Sequence, residues 1–99
     1  MDAKDLAAVD QTVKPNANET ILRVLDIPGD VTLTLDGSES FPGDKIIILA
    51  SATAAGSVII AGDGAPGSLA IGAGGVGAAI LVNGGTEETP FFVSSVPLT

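Results

Sequence analysis

Phe41-Pro42-Gly43-Asp44-Lys45-Ile46-Ile47-Ile48-Leu49-Ala50 is the stretch that decides the fold class of this 99-residue chain. Pro42 presets φ and Gly43 accepts positive φ, so the backbone can reverse sharply at Pro42-Gly43-Asp44. Three consecutive isoleucines then favour an extended chain, because branching at Cβ restricts χ1 and packs well on a pleated surface. Five apolar residues in a row predict a strand covered on both faces, the central strand of a small all-β domain.

The pattern repeats on either side. Thr20–Ile27 reads as a strand stopped by Pro28-Gly29-Asp30. Val31-Thr32-Leu33-Thr34-Leu35 alternates strictly, which puts Val31, Leu33 and Leu35 on one face and the threonines on the other. After the central strand come Ser57–Ala61, Ser68–Ile71, Ala78–Val82 and Phe91–Val96, separated by turns such as Gly62-Asp63-Gly64-Ala65-Pro66-Gly67 and Asn83-Gly84-Gly85. About seven short strands, each bounded by Gly, Pro, Asn or Asp, predict a small β-sandwich or barrel over residues 20–99.

Residues 1–19 have a different texture, with six charged side chains and only scattered apolar ones. They read as an extended N-terminal arm. Leu6, Val9 and Val13 also fit i, i+3, i+7, so two or three helical turns from Asp2 are an alternative. These three residues are the candidate partner-binding positions of the arm.

Composition narrows the function. Forty-five per cent of residues are apolar, yet 14 are alanine and only Phe41, Phe91 and Phe92 carry rings. A core built from these is thin, and self-association is the natural way to bury more surface, so one face of Ile46–Leu49 is expected to pack within the domain and the other within the domain or against a sister subunit. The net charge is −8 and no Lys or Arg follows Lys45. This disfavours nucleic acid, whose phosphates require clustered cations, and equally an anionic membrane surface. The acidic N-terminus carries no secretory signal.

Catalytic chemistry is poorly supplied. The chain lacks His, Cys and Tyr, so common bases and thiol nucleophiles are missing and no enzyme activity is expected. Gly72, Gly74 and Gly77 satisfy G-x-G-x-x-G, but only Ala78–Val82 follow before Asn83-Gly84-Gly85. A dinucleotide site needs a helix there, so the glycines are expected to serve tight turns and no cofactor is assigned. Glu87-Glu88 point to opposite faces of an extended backbone and read as a solvated loop. Asp26, Asp30, Asp36, Asp44 and Asp63 sit at strand ends, where calcium could bind, but their spacing matches no calcium loop and no ligands are assigned.

Two segments carry a resemblance. Pro42-Gly43-Asp44-Lys45-Ile46-Ile47-Ile48 with Val58-Ile59-Ile60 after a small-residue turn, and Leu81-Val82-Asn83-Gly84-Gly85-Thr86 with Phe91-Phe92-Val93-Ser94, look like small β-domains of tailed-bacteriophage structural proteins. The Trp usual after the Gly-Thr turn is missing, and Glu87–Pro90 lengthen the loop. The resemblance implies a virion structural protein, most like a head decoration (cement) or head-fibre protein. It would be a homotrimer on the capsid surface, made in the host cytoplasm, with the major capsid protein as partner and the arm as anchor. The alternative is a phage fibre or a receptor- or carbohydrate-binding β-module.

Overall fold

The computed structural model describes residues 2–63, 67–86 and 88–94. They form two mixed sheets packed face to face, with no helix among the described residues. The strands are β1 (Asp2–Leu6), β2 (Gln11–Val13), β3 (Glu19–Ile27), β4 (Val31–Leu35), β5 (Lys45–Ala52), β6 (Gly56–Gly62), β7 (Gly67–Ile71), β8 (Val76–Asn83) and β9 (Phe92–Ser94). Sheet A has the order β1-β3-β5-β8-β9 and sheet B the order β2-β4-β6-β7. The all-β sandwich expected from the sequence is the fold of the chain.

Its winding was not foreseen. From β1 to β6 the chain alternates between sheets, and each strand runs parallel to its neighbour of the preceding turn. The first three turns are therefore a flattened coil. Asp2 lies beside Thr20, 18 residues on, whereas Thr20 lies beside Ile46, 26 residues on, so the turns are unequal. After β6 the direction reverses: β7 runs antiparallel to β6, β8 to β5 and β9 to β8.

The core is the single layer between the sheets. Leu22, Val24, Leu33, Ile46, Ile48, Val58 and Leu81 are buried, and Phe92 is the one ring among them. Val31, Leu33 and Leu35 point inward as their alternation predicts, because every second Cβ of a strand faces the same side. The seven sequence-derived strands correspond to β3 through β9, the last only as far as Ser94, since Ser95 and Val96 lie outside the described residues.

Two expectations are corrected. Residues 2–6 and 11–13 are strands, so the helical alternative for the N-terminal segment does not occur. An acidic 5-residue run gains more from laddering against β3 than from an isolated helix too short to be stable. The arm is extended, but it lies along its own domain and contributes an edge strand to each sheet. The second correction concerns the Ile46–Leu49 run. Ile46 and Ile48 are buried, while Ile47 is half-buried and Leu49 is exposed. The strand is covered on one face only.

Candidate interaction surface

The strand-end aspartates are backbone clasps. Asp10, just before β2, accepts the Thr32 N–H at 2.9 Å; Asp30, just before β4, accepts the Ser57 N–H at 2.9 Å. Both tie one turn of the coil to the next. Asp63 accepts the Gly37 N–H at 2.7 Å. Asp36 accepts the Ser38 N–H at 3.0 Å and lies 3.8 Å from Lys14 Nζ. These contacts, the Ser38 bonds first, hold its carboxyl below the ordinary range. Asp26, at φ 59°, sits in the irregular stretch between Val24 and Ile27 and donates its N–H to Ser51 Oγ at 2.9 Å. Among the described residues no three acidic side chains converge as a metal site would require.

One polar network is buried. Asp44 Oδ2 accepts the Phe41 N–H at 2.8 Å and the Ser40 hydroxyl at 3.2 Å. Ser40 Oγ in turn accepts Asn83 Nδ2 at 3.0 Å, and Asn83 Oδ1 accepts the Gly85 and Phe91 N–H groups at 3.0 and 3.3 Å. The Pro42-Gly43-Asp44 turn and the loop after β8 are thus stitched together beneath the surface. Each polar atom finds a partner, which is what makes a buried network affordable. Its role is structural.

The G-x-G-x-x-G glycines form the turn between β7 and β8. Gly75 N–H donates to the Gly72 carbonyl at 2.9 Å, Gly74 takes φ 72°, and Gly77 already lies in β8 opposite Ala50. A strand follows the motif, so it has no helix N-terminus to offer a pyrophosphate. Glu88 is exposed, and Glu87 lies outside the described residues.

The outer faces of the two sheets differ sharply in chemistry. On sheet B the outward row Thr12, Thr34, Ala61 and the row Thr32, Ile59, Ser68 are mostly small and hydroxyl-bearing. On sheet A the outward row Ile21, Ile47, Ile80 is wholly aliphatic. It is flanked by Leu49, Val76, Val82, Val93 and Leu25, of which Val76 is 82% exposed and Leu25 48%. Between Leu25, Leu49 and Val76 the face sinks into a shallow depression of about 460 Å³, floored by Ala50, Ser51, Gly77 and Ala78. The small outward residue Ala78, beside Leu49, leaves volume that a larger neighbour would fill.

Arg23 borders the depression, but its charge is answered. Nε and Nη2 donate to the two Asp5 oxygens at 2.6 and 2.8 Å, a bidentate pair joining β1 to β3. The Arg23 hydrogen bond holds the Asp5 carboxyl below its usual range, and Asp5 raises the guanidinium correspondingly. The apolar outer side was legible in the unbroken Ile46–Leu49 run, whose second face was expected to pack within the domain or against a sister subunit. The depression beside it was not.

The three arm residues part company. Val13 is buried in the chain's own core, Leu6 is half-buried against it, and Val9 is 56% exposed in the link between β1 and β2. Only Val9 is open to a partner while β1 and β2 stay paired. Of the rings, Phe92 is buried, whereas Phe41 and Phe91 are exposed on the two loops that Asn83 joins. Comparison of the chain with protein-family models, curated proteins and solved structures gives no significant match.

Proposed function

We propose that the protein is a structural component of a tailed-phage virion, a decoration protein that binds the outer shell of the capsid as an oligomer and stiffens it. The observation that carries this reading is the aliphatic outer face of sheet A, on a chain that lacks His, Cys and Tyr. An exposed face of this kind suits association rather than turnover. The resemblance of the Pro42-Gly43-Asp44 and Asn83-Gly84-Gly85-Thr86 segments supplies the virion context. The terminal position of β1 in sheet A supports a role for the N-terminal segment, since an edge strand can accept a strand from a shell protein. Several copies joined together would multiply individually weak contacts.

Co-sedimentation with the capsids of the genome that encodes the chain tests the reading. Bound protein should raise the temperature at which the shells rupture, and Val9→Asp should weaken binding. Capsids that neither bind the protein nor gain heat resistance would sink the proposal. A second reading, a fibre or receptor- and carbohydrate-binding module, is favoured by the exposed rings Phe41 and Phe91 at one end of the sandwich. Glycan binding lost in Phe41→Ala and Phe91→Ala, with no capsid binding, would select it.

A further inference from the structure

We infer that the outer face of sheet A is a homotypic interface, covered by the same face of a second copy related by a two-fold axis. This rests on the self-association in the proposed function, replaces the homotrimer that the resemblance implies with a two-fold pair, and is independent of capsid binding. Three observations point to a second copy as the occupant.

The first is charge. The chain carries 12 acids and four bases, but the paired strand positions of this face hold Asp5 and Glu19 against Arg23 and Lys45 and balance, leaving ten acids and two bases elsewhere, with Asp26 at the rim of the depression among them. Other surfaces of the molecule repel a second copy, and this one does not. A neutral aliphatic face offers nothing to a strongly basic partner. The second is size. The five strands present roughly 500 Å² of projected face at the usual strand spacing and rise. That is of the same order as the roughly 800 Å² per partner of a specific interface. The third is relief. The ridge Ile21–Ile47–Ile80 lies one outward row from the depression beside Leu49. A two-fold axis lying across the strands, between those rows, places the ridge of each copy over the hollow of the other. That is the reciprocity an isologous contact requires. Two sheets stacked this way interdigitate as the inner faces of a sandwich do.

Sedimentation equilibrium of the full chain, from about 1 to about 100 µM, tests the inference. A dimer is expected. Leu49→Asp and Val76→Asp should weaken it at least tenfold, while Phe41→Ser, exposed on a loop away from this face, should leave it unchanged. Circular dichroism checks that each variant keeps its strands. Because Leu49 lies in the central strand β5, Val76→Asp at the start of β8 keeps the test valid if Leu49→Asp fails to fold. A monomer throughout, a trimer, or a folded Val76→Asp that pairs like the wild type would overturn the inference. A monomer that still binds capsids would sink the pairing alone, and a dimer that ignores them would sink the virion reading alone.

Discussion

Gly56 shows how little room the coil leaves at its crossings. A Cβ built there would lie 2.4 Å from the carbonyl carbon and oxygen of Gly29, both backbone atoms that cannot swing aside. Gly56→Ala should therefore destabilise the fold by more than ~2 kcal/mol, the scale of forced overpacking, seen as a lowered urea midpoint at unchanged slope. Asn83 makes a second residue-scale case. Asn83→Asp is nearly isosteric, but it replaces the amide donor to Ser40 with a carboxylate beside Asp44, in a site both residues share. A loss of about 2–4 kcal/mol at pH 7 is expected, less in acid where the new group is protonated, measured by thermal melts across pH. Asn83 and Asp44 were legible only as turn residues. Asp44 bonds its own turn through Ser40 and Phe41, but the burial of the pair depends on Asn83 arriving from 43 residues beyond Ser40, which no local pattern encodes.

At the scale of the element, β1 is held by its ladder to β3 and by the Asp5–Arg23 pair. The Asp5 carboxyl titrates lower in the folded chain than unfolded, so its contribution is present above the ordinary carboxylate range. It is lost as pH falls through the depressed folded value. Protection of the β1 amides against exchange, relative to their intrinsic rates, should fall in acid before that of β5, and Arg23→Gln should remove the difference; equal protection at every pH would refute this. The strands themselves were well marked in the sequence. β4 could be read residue by residue from Val31-Thr32-Leu33-Thr34-Leu35, and the Gly-Pro-Asp punctuation located most turns. β1 and β2 were not, because their charged and polar residues match an arm as well as an edge strand, and only pairing decides between the two. β5 was placed correctly, and its outward side was left open between the domain and a sister subunit: four consecutive apolar residues state that both faces are apolar, not what covers each.

For the whole molecule, the seven strands predicted a sandwich without predicting a coil. A coil is visible in sequence when its turns repeat at a fixed period, and here successive turns differ by several residues with loops of unlike composition. The structure also alters what removal of residues 1–19 should do. Truncation strips an edge strand from each sheet and uncovers the site of Val13, so a loss of ~3 kcal/mol or more is expected, a fall of more than about 10 °C in Tm for a domain of this size. A truncated chain melting like the full one would show that the segment is dispensable to the fold. The reversal after β6 has a kinetic consequence. Pairing β1 with β3, or β3 with β5, closes a loop of about twenty residues before any contact repays it, whereas Ile60 of β6 pairs with Gly67 of β7, only seven positions on. Mutations in β6, β7 and their neighbour β4 should slow refolding, and those in β1 and β2 should chiefly hasten unfolding. On a ribosome, this chain would then have to wait for its last third before its first strands could settle.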